Sequence, residues 1–437
     1  MLDKAQQDFS YYSHEFKDNY RKGVHRLRTL LETPTQAEAF AANFGGVSVI
    51  LGARQDQPDR NSEELYALLQ GSDVIDQAVL TWFTGIYTEC TTADDVFGDL
   101  DRCEEILANP VMSRAAGASG VCAGKWVATL AGQSCNSFED ITAVAASATA
   151  MAAVAASWTA VAAIHRGGNL SVIQQTPSAW AVFTACGSGV IGPAVADLAG
   201  LDPADYADMD AVVASELAMD AVVASYISIA AVYGTPAAYA VWKDTAYAAE
   251  AMASASSVAV GKAAVELAGL DPDDYADAAA VAASSTAMQA VAASAVALNL
   301  CLKNGTARGK LAGSAHLQGL YSTINSTVNN TSYFDKTSAQ ALDSGSKRAT
   351  GGTNTDNTAT ANQSLALIQK MGSWSNGTST TTVIYHLQGG AQVHSVTTST
   401  GPINSGTGVT ANKICIGGCK MTETGDGGCW GVWIYAK

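Results

Sequence analysis

Residues 142–151 read TAVAASATAM, and the same ten-residue phrase follows at 152–161 as AAVAASWTAV. Two further pairs of the phrase occupy 210–229 and 279–298. A longer repeat surrounds these two pairs, because AVADLAGLDPADYADMDAVVAS at 194–215 returns as AAVELAGLDPDDYADAAAVAAS at 263–284. Self-similarity at a fixed period is typical of an array of units and not of a single globule. We therefore expect residues 137–303 to form an Ala-rich repeat shaft.

The spacing of the apolar residues predicts short helices within each repeat. Val144, Met151 and Val154 are seven and then three residues apart, and Val161 and Ile164 continue the pattern. That is about 3.3 residues per turn, too tight for one long α-helix. A Ser precedes each Ala-rich run, where its side chain can accept from first-turn amides. We expect two-turn helices joined at Ser corners, namely Ser147, Ser157, Ser215, Ser225, Ser284 and Ser294.

Two degenerate copies of the repeat support the same corners. Thr176-Pro177 and Thr235-Pro236 each place a capping residue before a Pro at the first helical position. Gly200 and Gly269 precede Asp-Pro pairs, which indicates a helix stop followed by a new start. Carboxylates that complement the helix dipole explain these acidic turns better than a calcium site, because the spacing of an EF-hand is missing. The acids concerned are Asp202, Asp205, Asp208, Asp271, Asp273, Asp274 and Asp277.

Small side chains dominate the shaft and bear on its assembly. Ala and Val favour helices but offer little bulk, so we expect that one chain cannot enclose a core of its own. Several identical chains wound about one axis would bury the apolar positions against each other. A disordered Ala-rich linker is the alternative. A membrane span is disfavoured, because acids such as Asp208, Glu216 and Asp220 interrupt every long apolar window.

Residues 1–136 predict an N-terminal helical domain. Thr33-Pro34 with Gln36 reads as a capping box whose helix ends at Gly45-Gly46, and Ser137 with Asp140 reads as the cap at the entry to the shaft. Further helix starts are expected at Ser72, Thr92 and Asn109-Pro110. A basic patch comprises Arg21, Lys22, His25, Arg26 and Arg28. A solvated face or a docking surface explains this patch better than nucleic-acid binding does.

The composition changes after the shaft. Residues 304–362 are rich in Ser, Thr, Asn and Gly, and we expect an extended neck without its own core. Residues 363–437 predict a C-terminal β tip with segments SLALIQKM (helix or strand), TTTVIYHLQ, AQVHSVTTST, KICIGG and WGVWIYAK. In the last segment, alternation should place Trp430, Val432 and Ile434 on one face and Trp433 and Tyr435 on the other. The tetrapeptide HLQG occurs at 316–319 and 386–389, too short a match to define a repeat.

Candidate chemistry in the tip is sparse. Glu423 and Asp426 form a possible carboxylate pair beside a Gly cluster, where a solvated turn is the better interpretation. A disulfide among Cys415, Cys419 and Cys429 is favoured over a zinc site that adds His394. Exposed aromatic rings stack on sugars and anchor interfaces. The tip residues predicted to bind a receptor in this way are Trp374, Tyr385, Trp433 and Tyr435.

Charge and sorting signals narrow the function further. The net charge of -16 makes nucleic acid an unfavourable partner. The first residues lack the basic and apolar regions of a secretory signal. The nine cysteines are odd in number, so full oxidation would leave one to pair between chains or stay reduced. No Walker loop, nucleophile elbow, dinucleotide fingerprint or HExxH motif occurs, so we expect neither an enzyme nor a cofactor.

The phrase AVAASSTAM at 280–288 resembles the Ala-rich repeats of tail fibre proteins of tailed bacteriophages, and the resemblance covers residues 137–303. It implies an elongated homotrimeric fibre, mainly α with a small all-β C-terminal domain. It also implies a virion protein, assembled in the host cytoplasm, whose N-terminus attaches to baseplate or neck proteins. The tip would bind a bacterial surface glycan or outer-membrane protein, without membrane insertion. The alternatives are a collar or whisker fibre without receptor binding, and a tip-borne glycan hydrolase.

Overall fold

The computed structural model describes residues 4–17, 20–52, 60–342, 353–358, 364–373, 380–388, 390–398, 408–424 and 427–437. The chain is mainly helical with a small C-terminal all-β region of two sheets, which confirms the predicted class. It divides into two compact units, one of residues 1–198 and 202–209 and the other of residues 199–201 and 210–437. The division falls inside the repeat region, so each unit is described separately.

The first unit begins with helices that precede the repeats. Their bounds are α1 Lys4–Lys17, α2 Tyr20–Leu31, α3 Pro34–Ala41, α4 Phe44–Leu51, α5 Arg60–Gln70, α6 Ile75–Ile86, α7 Ala93–Phe97, α8 Leu100–Ala108 and α9 Pro110–Ala118. Thr92 and Asn109 cap α7 and α9 as predicted. Thr33 precedes Pro34 at the start of α3, but its side chain makes no capping hydrogen bond.

Three predicted helix boundaries in this unit are wrong. Ser72 does not start a helix, because α6 begins at Ile75 and Val74 is its N-cap residue. Gly45 and Gly46 lie inside α4 and do not end α3. They are needed there because α4 crosses α1 closely, and a Cβ at Gly45 would lie 2.6 Å from the carbonyl oxygen of Ala5. Ser137 lies in the short 3-10 helix Cys135–Ser137, and Asp140 alone caps the first repeat helix by accepting from the amide of Ala143 at 2.7 Å.

The repeat region consists of short helices in both units. In the first unit they are α10 Gly120–Leu130, α11 Ile141–Ala146, α12 Ala148–Val154, α13 Trp158–Arg166, α14 Leu170–Gln175, α15 Pro177–Phe183 and α16 Ser188–Leu198. Then follow α17 Met209–Val213, α18 Glu216–Ala224, α19 Tyr226–Gly234, α20 Pro236–Lys243, α21 Ala248–Ser254, α22 Ser257–Leu267, α23 Ala278–Ala283, α24 Ser285–Ala293 and α25 Ala295–Lys303.

The Ser corners are confirmed. Each of the six predicted Ser residues is the N-cap of the next helix and accepts from the third amide of its first turn. Consecutive helices bend by 98° between α12 and α13, 107° between α18 and α19, and 103° between α24 and α25. At the two Thr-Pro corners Pro occupies the first helical position, although the Thr side chains make no capping bond. Asp202 and Asp271 cap 3-10 helices after Gly200 and Gly269, whose φ angles are +77° and +80°.

A single chain buries the repeat core, contrary to our expectation. The large apolar residues that set the spacing are at most 1 % exposed within one chain, namely Val144, Met151, Val154, Val161 and Ile164. Helices three apart along the chain pack on one another, namely α10, α13 and α16 in the first unit and α19, α22 and α25 in the second. Each turn of the array therefore contains three helices. The six helices that stack in this way are enclosed by the remaining short helices of the array.

Glycine sets how closely the array can pack. Gly124, Gly192 and Gly261 lie in the buried helices α10, α16 and α22, each sixteen residues before an Asp. A Cβ at Gly192 would collide with the backbone of Asp208, and a Cβ at Gly124 would collide with that of Asp140. Gly261 meets the backbone at Asp277 and Ala278 in the same way. The capped start of one helix thus rests directly on the backbone of a buried helix.

Some Ser caps also join neighbouring turns. Ser157 accepts from the amide of Ala160 and donates its hydroxyl to the carbonyl of Leu130, 2.7 Å away at the end of α10. Ser294 repeats this arrangement with the carbonyl of Leu267 at 3.3 Å. The hydroxyl therefore satisfies an amide at one helix start and a carbonyl at one helix end.

The first part of the segment expected to be an extended neck is helical. Residues 305–327 form α26 Gly305–Ala312, a 3-10 helix Leu317–Leu320 and α27 Tyr321–Thr327, capped at the start by Asn304. Its few apolar residues are well placed, because Leu311, Leu317 and Ile324 are each 1 % exposed. Strands β1 Phe334–Lys336, β2 Gln340–Ala341 and β3 Thr353–Thr358 follow.

All five predicted tip segments are strands of two antiparallel sheets. They are β4 Ser364–Ser373, β5 Thr380–His386, β6 Gln392–Thr398, β7 Val409–Ile416 and β9 Gly427–Ala436, with an unpredicted strand, β8 Cys419–Thr424. The first sheet has the order β1-β9-β4-β7 with β2 also on β9, and the second has the order β3-β8-β5-β6. A hydrophobic core that includes Ala366, Ile368, Ile384 and Met421 lies between them.

The first sheet is covered on both faces. Ala366 and Ile368 belong to the core between the sheets, whereas Leu365, Leu367 and Ile434 are fully buried outside it. Strands β7 and β9 contact α25, α26 and α27. The expectation that one face of WGVWIYAK is inside and the other outside is therefore wrong, because helices cover the second face.

A buried polar network fastens β9 to the helices. The hydroxyl of Tyr239 donates to the carbonyl of Lys437 at 2.5 Å and lies 3.0 Å from Oδ1 of Asn299. The amide of Asn299 donates to the carbonyl of Tyr333 at 2.7 Å. The β region is thus integrated into the helical unit that carries it.

The glycine contact gives a first prediction. Gly192→Ala should lower the free energy of unfolding by about 1–3 kcal/mol, because the added methyl group must displace the backbone of Asp208. Gly189→Ala is the control in the same helix, since its Cβ would meet only the carbonyl of Ala207 at 3.8 Å. It should be neutral or stabilising. Denaturant melts of both variants test this, and equal stabilities would contradict it.

The double role of the caps gives a second prediction. Ser147→Ala removes only a cap and should cost about 1 kcal/mol. Ser157→Ala should cost about 0.5–1.5 kcal/mol more, because it also removes the hydrogen bond to Leu130. Thermal and denaturant unfolding of the two variants measure the difference. If Ser157→Ala is no worse than Ser147→Ala, the bond between turns contributes nothing.

Candidate binding surface on the second unit

Two His-Leu-Gln segments close the edge of the first sheet. The side-chain amide of Gln318 donates to the carbonyl of Ile414 at 2.8 Å, and the amide of Ile414 donates back at 3.0 Å. Two residues further along β7, the backbone amide of Ile416 donates to Nδ1 of His386 at 3.0 Å. The carbonyl of Ile416 accepts from the backbone amide of Gln388. The two copies of HLQ therefore occupy the outward groups of β7, which would otherwise be an open sheet edge.

The histidine of the second copy is held neutral. Its ring is 4 % exposed, and Nδ1 accepts a hydrogen bond, so the proton resides on Nε2. Burial lowers the pKa of His386 to about 4. Protonation would remove the acceptor and place a charge in the core, so this contact depends on pH.

The second sheet presents a polar outer face. In β5 the residues Thr380, Thr382, Ile384 and His386 are buried, and alternate residues point the other way and are half-buried. Cross-strand register extends this outer face over β6 and β8 in three rows: Thr381 with Thr397; Val383 with Ser395 and Thr422; and Tyr385 with Gln392 and Lys420. Thr381 and Thr397 are joined by a hydroxyl contact of 3.0 Å.

The chemistry of the outer face suits an uncharged polar ligand. It combines one tyrosine ring with hydroxyls and an amide, and Lys420 supplies its one cation among the residues of these three rows. Rings stack on the apolar faces of sugars, and hydroxyls and amides can both donate and accept. None of the three rows contains a carboxylate, so they offer no acid or base pair for hydrolysis.

The three predicted receptor-binding residues that the structure describes are not brought together. Tyr385 lies on the outer face, but Trp433 packs against the core between the sheets. Tyr435 is half-buried in β9, opposite Asp335 and Ser364. Trp374 lies outside the described residues. The roles of Trp433, Tyr435 and Trp374 stay predictions, and only Tyr385 belongs to the surface described here.

The three tip cysteines belong to the same buried core. Burial raises the pKa of the Cys415 thiol well above its ordinary value, with contributions from Cys419 and Cys429. The disulfide among them stays a prediction. Where the chain is described, no three His, Cys, Asp or Glu side chains are grouped so that they could hold a metal ion. Asp426 lies outside the described residues, so its pairing with Glu423 is not described.

No protein family model matches the chain, and no curated protein is significantly similar to it. Over the described residues no single helix has the length and apolar composition of a membrane span, although four bent helix pairs do by those two criteria alone.

The sequence indicated part of this surface. Alternation in TTTVIYHLQ places Val383 and Tyr385 on one face of β5 and Ile384 on the other, so the sequence predicts which residues share a face. Strand β8, which supplies Lys420 and Thr422, was missed because CKMTET has two charged residues and no aromatic residue. Its place in the middle of a sheet is set by pairing with β3 and β5 and not by its own composition.

The state of His386 gives a third prediction. Between its ordinary pKa of 6.5 and about 4, the unfolded chain binds a proton that the folded chain does not, so stability falls as pH is lowered through this range. The melting temperature should therefore drop from pH 7 to pH 5. His386→Asn keeps a side-chain acceptor without a titrating ring and should show a smaller drop.

A control separates this contact from general acid effects. His316, whose ring lies at an exposed contact with the carbonyl of Ala283, is replaced by Asn in the same way. His316→Asn should retain the wild-type pH dependence. Identical melting profiles for wild type and His386→Asn would contradict the assignment.

Proposed function

We propose that this protein is a structural and binding component of a phage tail fibre, attached to the particle through its N-terminal helices. The outer face of the second sheet binds a neutral surface glycan. The observation that carries the binding role is that face, with Tyr385 between Gln392 and Lys420 and hydroxyls in the two rows beyond. The fibre role rests on the Ala-rich phrase and on its regular stacking in three-helix turns.

The repeat array suits a spacer. Each turn adds three short helices, many of them capped by their own Ser or Asp residues, that pack on the turns beside them. Such arrays gain length by repetition and need few long-range contacts. The β region is packed on the last helices, so the array can hold a binding face in a fixed orientation.

The number of chains is part of the proposal. Because one chain buries the repeat core, a trimer needs surfaces other than the Val and Met positions of the phrase. Three chains would place three weak sites on one assembly and could raise the avidity by roughly 10²–10⁴ without new contacts. Light scattering measures the assembly directly, and a mass of 44.8 kDa would rule the trimer out.

Binding gives the fourth prediction. The full chain should bind neutral polysaccharides on an array of bacterial surface glycans, and Tyr385→Ala should weaken this binding at least tenfold because it removes the ring. Gln392→Ala should weaken it less, since only hydrogen bonds are lost. Tyr247→Ala removes a tyrosine whose hydroxyl makes an exposed hydrogen bond to Asp220 and serves as the control.

The outcomes separate the candidate functions. No glycan binding by any form would favour a collar or whisker fibre without a receptor. Binding that Tyr385→Ala leaves unchanged would move the site away from the outer face. Release of shorter saccharides from the array would indicate a hydrolase and overturn the proposal.

A further inference from the structure

Helix α2 presents a basic face in an acidic protein. The chain has 40 acids and 24 Lys and Arg residues, yet α2, YRKGVHRLRTLL, contains no acid. Lys22, His25, Arg26 and Arg28 are all exposed. Like charges this close on one helix repel one another and give the isolated unit no stability.

The cations in the later part of the first unit are paired. From residue 63 to residue 209 every Lys and Arg forms an ion pair: Arg102 with Glu89, Arg114 with Glu63, Lys125 with Asp94, and Arg166 with Asp197. Among the described side chains of α2, only Arg26 reaches a described carboxylate, that of Glu15, at 3.8 Å. Between residues 63 and 209 the folded unit thus neutralises its cations, whereas Lys22 and Arg28, like Lys4 and Lys17 of α1, have no carboxylate partner among the described residues.

The position of α2 is fixed by its apolar side. Val24 is 7 % exposed and Leu27 is fully buried, and Gly23 crosses the backbone of Phe16 in α1. The basic side is therefore held outward. On α1, Tyr11 is 53 % exposed and stands one helical turn before Glu15, the residue that contacts Arg26. Tyrosine and arginine are the residue types that most often carry binding energy at protein interfaces.

We propose that this basic face, Lys22, His25, Arg26 and Arg28 with Tyr11, docks on an acidic surface of a partner protein. A membrane is a poorer occupant, because a membrane-bound basic helix inserts its apolar face, and here that face is buried. Nucleic acid is opposed by the net charge of -16. The inference rests on the proposed function in assigning attachment to this end of the chain, and it names the chemistry of the attachment partner.

The test uses the full chain and a fluorescent deca-glutamate peptide as the acidic probe. The wild type should bind the peptide at low salt and lose it as salt is raised. Lys22→Gln/Arg28→Gln should weaken binding at least fivefold, and Tyr11→Ala should weaken it further when combined. Lys310→Gln/Lys413→Gln removes two positive charges elsewhere and should leave binding unchanged. Circular dichroism checks that all variants fold.

Two results would overturn the inference. One is equal peptide binding by wild type and Lys22→Gln/Arg28→Gln. The other is tighter binding of duplex DNA or phosphatidylglycerol vesicles than of the peptide, with the same variant losing it. Glycan binding is measured in parallel, because Lys22→Gln/Arg28→Gln should leave it intact. If only Tyr385→Ala loses glycan binding, the result bears on the proposed function. If only Lys22→Gln/Arg28→Gln loses peptide binding, the result bears on the inference about α2. The two proposals are therefore judged separately.

Discussion

The crossing of a capped helix start over a glycine is the contact on which the array depends. Gly124, Gly192 and Gly261 each lie under a segment led by an Asp sixteen residues later. Two of these Asp side chains also accept from first-turn amides, Asp140 from Ala143 and Asp277 from Ala279 and Ala280, while the backbone rests on the glycine. Because neither partner can move without losing a cap or a packing contact, the same bend recurs in each long repeat.

The small side chains follow from that close approach. A short helix of Ala and Val has little surface to bury, so its stability must come from caps and from contacts on several sides. The array supplies both, because each buried helix is enclosed by the turns beside it within one chain. Reasoning from side-chain volume alone suggested that other chains must fill the core. Reasoning of that kind overlooked the close approach of the backbones, which leaves little volume between the helices for side chains to fill.

Local chemistry was predictable from the sequence, and long-range placement was not. The Ser corners, the Asp-Pro starts and the five tip strands are encoded in a few adjacent residues, and the structure confirms them. The 304–327 segment was misjudged because its composition is polar, although Leu311, Leu317 and Ile324 are enough to bury one side of short helices. The aromatic residues of the tip were grouped by proximity in sequence, but pairing placed Tyr385 and Trp433 on different sheets. The HLQG match was too short to define a repeat, and only the fold shows that both copies contact the edge of β7.

A position at which one copy departs from the repeat shows where another segment packs on the array. Aligning Ser157, Ser225 and Ser294 places Ala162, Ala230 and Asn299 at one position of the buried helix. Alanine there suffices for packing, and the amide of Asn299 is stabilised only because the carbonyl of Tyr333 and the hydroxyl of Tyr239 meet it. A buried amide without such partners would cost about 1–3 kcal/mol, so it can persist only where another segment docks. In an array of near-identical turns, a polar residue at an otherwise apolar position therefore marks the turn that receives the β region.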